Sequence, residues 1–172
     1  SVNESCLWLA DATTGEKRLI TPKGRPEKTS YGPARFSKNG KGIYLTTDEG
    51  SEFTRLAYLD LTSGEHTFLS SEIPWDVEEL DLSEDGRTLA FVTNENGRSV
   101  LYVMDTATRT KGPVPNLPVG IIDSLRWHRN SRDLGFSLPS ARATSDTYSL
   151  NTRTGELTRW TYSETGGLNA EG

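Results

Sequence analysis

At 172 residues, with 25% charged side chains and a formal net charge of −5, the chain has the length of one ordinary domain and no surplus of cations. Affinity for phosphate backbones needs clustered Lys and Arg, and no basic cluster exceeds Lys17-Arg18, so nucleic acid is not an expected partner. No apolar run approaches membrane-spanning length, and the lone Cys6 permits no intrachain disulfide while leaving cytoplasm and periplasm both open.

The chain begins with Leu7-Trp8-Leu9-Ala10-Asp11, a turn through Gly15, and Lys17-Arg18-Leu19-Ile20, which predicts a strand pair over 6–20. Three longer copies of one pattern come after it. Each starts on a short strand ending in a large apolar residue: Ala34-Arg35-Phe36, Leu80-Asp81-Leu82, Leu125-Arg126-Trp127. The turn dipeptides Asn39-Gly40, Asp85-Gly86 and Asn130-Ser131 come next, 46 and then 45 positions apart. Second strands are predicted at 42–46, 88–93 and 133–137; their nearly continuous apolar character suits burial on both faces. Polar loops at Asp48–Thr54, Asn94–Ser99 and Pro139–Asp146 lead to third strands ending at Asp60, Asp105 and Asn151. These three residues continue a ladder begun by Asp11, with Gly15, Gly64, Arg109 and Gly155 four positions after each rung. Fourth strands are predicted from Glu65 to Leu69 and from Glu156 to Trp160.

Two markers in one phase, at a period of about 46 residues rich in short strands, predict an all-β partial β-propeller: three four-stranded antiparallel blades plus a two-stranded half-blade. The half-blade spans 6–20 and the blades 33–72, 76–116 and 120–162. An open β-sandwich with evenly spaced strands is the alternative. Three and a half blades cannot close a ring, so the chain is expected to be a piece of a longer protein. Its terminal sheets are expected to present apolar, uncovered faces and to self-associate.

Candidates for chemistry are few. No Gly-x-Ser-x-Gly elbow occurs. Of the two histidines, His66 reads as a surface residue and His128 as a turn or packing residue; neither has a partner at metal-ligand spacing. Glu78 and Glu79 are adjacent on a strand and point to opposite faces, so they are poorly placed to cooperate. Arg35, Asp81 and Arg126 share one phase and read as ion pairs between blades. Phe36, Tyr44, Phe91, Trp127 and Phe136 read as blade core, with Trp127 largely buried between blades. No residue is assigned a catalytic, cofactor-binding or metal-ligating role, and no cofactor is expected.

Phe36-Ser37-Lys38-Asn39-Gly40 and Leu82-Ser83-Glu84-Asp85-Gly86 resemble the Ser-x-Asp-Gly blade signature of TolB-like propellers. Leu56–Leu61, Ile73–Glu78, Leu157–Thr161 and the closing Ser163–Leu168 are similar to the amino-terminal propeller of prolyl oligopeptidase family serine peptidases. The resemblance implies the last three and a half blades of a non-catalytic domain, with 163–172 beginning a linker to an absent α/β-hydrolase domain. That domain, the remaining blades and the parent's peptide substrates are the implied partners, and gating of peptide access is the implied role. A TolB-like interaction scaffold is the alternative. A propeller enzyme such as a lactonase or glycosidase would need converging carboxylates or metal ligands, which the phase-aligned positions do not offer.

Overall fold

The computed structural model describes residues 4–21, 28–140 and 143–163. The protein is all-β, with no helix among the described residues. The chain opens on a two-stranded antiparallel sheet, β1 (Trp8–Ala10) against β2 (Lys17–Leu19). The first four-stranded sheet is β3 (Tyr31–Phe36), β4 (Gly42–Thr47), β5 (Arg55–Asp60) and β6 (His66–Phe68). The second is β7 (Val77–Leu82), β8 (Thr88–Glu95), β9 (Arg98–Asp105) and β10 (Lys111–Pro113). The third is β11 (Asp123–Trp127), β12 (Asp133–Ser140), β13 (Ala143–Asn151) and β14 (Leu157–Arg159). Within each sheet the strands pair in chain order, as in the blades of a partial β-propeller.

Each turn ladder has one local cause. After the third strand, the carboxylate or amide of the ladder residue accepts two amides from the turn. Asp105 Oδ1, for example, takes the N–H of Ala107 at 3.0 Å and of Thr108 at 2.8 Å. Asp11, Asp60 and Asn151 do the same for their own turns. The residue four further on then donates its N–H back to the ladder carbonyl, at 2.8–2.9 Å. That closure requires positive φ, which explains glycine in three copies. Arg109 adopts the same conformation at φ 61° with a side chain attached.

After the first strand, the Ser37 and Ser83 hydroxyls each donate to the turn Asn or Asp and accept the N–H that starts the second strand. In the third copy the His128 ring takes over, its Nδ1 accepting the Asn130 N–H at 3.3 Å. His128 is thus a turn residue.

Two predicted loops are instead strand. Asn96 and Gly97 both hold positive φ (55° and 79°), so a two-residue turn carries β8 and β9 through 94–99. Similarly, β12 and β13 run through most of 139–146. The closing segment from 164 onward lies outside the described residues.

The chain divides into two compact units, residues 1–78 and 79–172. In the first, Ile43, Leu45, Ala57 and Leu59 form a core against Leu7, Ile20 and Phe68. In the second, Ala90, Val92 and Leu101 of one sheet meet Leu125, Leu134, Phe136, Leu138 and Leu150 of the next. Tyr44, Phe91 and Phe136 are buried. Of the two remaining aromatics, only Phe36 departs clearly from the expectation. Trp127 is only half-buried, and Phe36 is 56% exposed. Trp127 is covered by β7 of the preceding sheet, whereas the described residues before β3 form only β1 and β2 and supply no such inner strand.

Candidate functional site

The carboxylates nearest an inner strand are engaged by the neighbouring sheet. Glu79 and Asp81 are two apart on β7 and share a face. Glu79 accepts the N–H groups of Ser124 (3.3 Å) and Leu125 (3.0 Å) through its two oxygens. Asp81 Oδ2 accepts the Trp127 N–H at 2.8 Å, and the Asp81 carbonyl accepts the Trp127 indole N–H at 3.1 Å. At the outer end of the seam, the Asp85 N–H donates to Ser131 Oγ at 2.9 Å. Along β7, side-chain acceptors therefore take up backbone donors of the next sheet, while the Asp85–Ser131 bond runs the other way.

The two arginines of the same phase also bond within their own strands. Arg126 turns back to donate to the Leu125 carbonyl at 2.9 Å, and Arg35 makes the same bond to Ala34. Sequence reading missed the clasp, although its partners stand one repeat apart. The signal available was the period itself, read across copies rather than along one.

A second polar cluster gathers on Asp146, placed by β13 and only 1% exposed. Its Oδ1 accepts the Ser163 N–H at 2.8 Å, the Ser163 hydroxyl at 3.1 Å and the Thr161 hydroxyl at 3.3 Å. Its Oδ2 is bonded by the Arg159 guanidinium. Burial pushes the Asp146 carboxyl up, but the Ser163 amide, Arg159 and the Ser163 hydroxyl outweigh it and hold the group below its ordinary value.

His66 is not at the surface: its side chain is 6% exposed, with Nδ1 3.2 Å from Glu49 Oε2. The imidazole stacks on Tyr31 and Phe68, whose ring in turn lies beneath the Arg55 guanidinium at 3.9 Å. On the third sheet, Arg132 and Asp133 form a surface pair, and the Arg132 and Asn130 hydrogen bonds lower the Asp133 carboxyl to about 2.

The third sheet also carries an open groove of about 510 Å³, lined by Trp127, Gly135, Tyr148, Ser149 and Trp160 among others. This face combines three aromatic side chains with small and polar positions. Where β8 and β9 present Ala90, Val92 and Leu101, the positions one repeat on are Gly135, Ser137 and Thr147. Trp160, 65% exposed, lies against this surface with its indole N–H on Ser149 Oγ at 2.8 Å.

Chemically, these groups bind backbone. Among the described residues there is no group of three His, Cys, Asp or Glu side chains that could hold a metal. The residues with perturbed carboxyls serve turns, the surface pair or the Asp146 cluster.

No family model matches the sequence, and no curated protein matches it. Solved structures do share the fold. A TolB from Acinetobacter baumannii superposes with a TM-score of 0.73 at 19% identity, over 91% of this chain and 37% of that one. A structure from a study of two prolyl endopeptidases gives 0.77 at 17% identity, over 99% of this chain and 24% of that one. A puromycin hydrolase gives 0.71 at 16% identity, over 91% and 23%. The fold is thus that of TolB and prolyl-endopeptidase propellers, and the chain spans well under half the length of each of these three proteins.

Proposed function

We propose that the chain belongs to a propeller that screens access to a serine-peptidase site carried elsewhere in the same polypeptide. The observation that carries this reading is the likeness to the prolyl endopeptidase structure, which takes in 99% of this chain but only 24% of that one. The resemblance of Ile73–Glu78 and Leu157–Thr161 to the same family's propeller supports it. The role is steric: blades around a narrow passage admit short peptides and turn away folded proteins. Self-association of the isolated chain then reflects sheets whose neighbours are elsewhere in the parent.

The test is the complete polypeptide encoded by the gene. It should cleave short prolyl chromogenic peptides and spare the same sequence inside a folded protein. The chain alone should cleave neither, because acyl transfer needs a nucleophile hydrogen-bonded to a base. A complete polypeptide without a Gly-x-Ser-x-Gly segment, or without peptidase activity, overturns the reading.

The likeness to TolB favours a second reading, an interaction scaffold with no enzyme attached. That reading predicts a complete polypeptide consisting of propeller blades and lacking hydrolase activity.

A further inference from the structure

We propose that Asp146 is a lock that straps residues 159–163 to the third sheet and so fixes the direction in which the chain leaves it. The strap is held by more than its strand pairing. Arg159 Nη2 and the Ser163 N–H reach the Asp146 carboxylate from either end of the segment. The Arg159 Nε also donates to the Thr161 carbonyl at 3.0 Å, and the guanidinium lies 4.5 Å from the Tyr162 ring centre. Thr161 Oγ1 accepts the Thr147 N–H at 2.8 Å, and the Ser163 hydroxyl reaches the Ser145 carbonyl at 2.8 Å.

The earlier copies provide an internal control. In the first and second sheets the connection after the fourth strand returns to the start of the third through a backbone bond and one side-chain bond each: Val77 N–H to the Thr54 carbonyl with Thr54 N–H to Asp76 Oδ1, and Ser99 N–H to the Gly120 carbonyl with Ile122 N–H to Ser99 Oγ. The positions in phase with Asp146 there are Arg55 and Val100, and in the half-blade Cys6. A buried carboxylate at this place therefore belongs to the third sheet alone among the four copies. Where the first two sheets use one side-chain bond apart from any hydroxyl cap on the third strand, here Arg159, Thr161 and Ser163 converge on a single carboxylate. A carboxylate at 1% exposure is retained only with its charge and lone pairs satisfied, and its partners Arg159, Thr161 and Ser163 all lie on the strap. The consequence is a two-state element: locked, the strap presents Trp160 and Tyr162 at fixed positions; unlocked, 159–163 can peel away while β11–β13 stay folded.

Limited trypsinolysis of the chain reads the lock directly. Cleavage after Arg159 needs local opening, whereas Arg153, on the exposed turn after β13, serves as reference within the same molecule. Asp146→Asn should raise cleavage at Arg159 relative to Arg153 by about tenfold or more, since charge-assisted bonds are lost. Ser163→Asp, which sets a like charge against Asp146, should do the same, and Ser163→Ala should have a smaller effect. Unchanged near-ultraviolet circular dichroism keeps global unfolding from imitating the result. Equal cleavage ratios in Asp146→Asn and the parent sequence overturn the lock.

A further link rests on the proposed peptidase reading: the strap sets how the ring sits beneath the catalytic domain. Asp146→Asn in the complete polypeptide should then relax discrimination by substrate size. Faster trypsin cleavage with unchanged size discrimination overturns that link while leaving the lock standing.

Discussion

Asp81 holds Trp127 at two points: its carboxylate accepts the backbone N–H at 2.8 Å and its carbonyl the indole N–H at 3.1 Å. Asp81 is 6% exposed, so removing its side chain leaves a donor without an acceptor in a poorly hydrated seam. Asp81→Ala should cost about 1–3 kcal/mol, with Asp81→Asn milder. An unmoved chemical denaturation midpoint in Asp81→Ala would show that the clasp is not a source of stability.

The same seam distinguishes two aromatics that look equivalent in the repeat. Trp127→Ser should lower stability by about 2–4 kcal/mol through lost packing and a lost hydrogen bond. Phe36→Ser, at a position 56% exposed, should change it by no more than about 0.5 kcal/mol. Equal losses would mean that both rings are covered alike in solution.

Arg109 adopts a backbone conformation that costs an L-residue about 1–2 kcal/mol, against a smaller entropic cost for glycine. Arg109→Gly should therefore stabilise the protein by about 0.5–1 kcal/mol, and Gly64→Ala should destabilise it by about 1 kcal/mol. Thermal midpoints moving in the same direction for both variants would contradict the ladder geometry.

A proline interrupts another repeated bond. The amides of Leu7, Leu56 and Thr147 are capped by the hydroxyls of Thr21, Ser70 and Thr161 at 2.8–2.9 Å. The corresponding amide is that of Leu101, which is fully buried; Pro115 stands at the capping place and offers no hydroxyl. Pro115→Thr should restore the cap and add about 1 kcal/mol. A lower urea midpoint would sink the idea.

Acid should weaken the turns before the cores. The carboxyls of Asp11, Asp60 and Asp105 are lowered chiefly by backbone amides, those of Thr14, Ser63 and Thr108 first, and Asp133 lies at about 2. A folded-state value below the ordinary 3.8 contributes stability above that pH, and the contribution is lost as pH falls through the folded value. The thermal midpoint should be nearly flat from pH 7 to 5 and fall between about 4 and 2. Asp105→Ala should flatten that fall. A midpoint that declines as steeply between pH 7 and 5 would assign the acid response to other groups.

The sheets are legible in the sequence because their turns are chemically autonomous. Asp60 and Gly64, or Ser83 and Gly86, close their turns with bonds inside a few residues, so the residue types alone give strand ends. Exposure is less legible, because it depends on what lies one repeat away. Phe36 and Trp127 occupy one phase and differ in whether the described residues before them supply an inner strand. His66 reads as polar and outward by itself. Glu49 from the loop after β4, with Tyr31 and Phe68 at strand ends, makes its place an interior one. Asp146 reads as a loop residue because its neighbours are polar, yet those neighbours are what allow a carboxylate to be buried there.

The clasp between the second and third sheets has a direction: acceptors come from the earlier inner strand and donors from the later. One repeat beyond Glu79 and Asp81 stand Ser124 and Arg126, so β11 offers a guanidinium where β7 offers a carboxylate. A further inner strand placed against β11 in the same way would bring amide donors to a cation. The sheets are therefore not exchangeable modules. Exchanging β7 and β11 would keep the apolar phase and lose both carboxylate acceptors, so the order of these two strands along the chain is written into their polar edges.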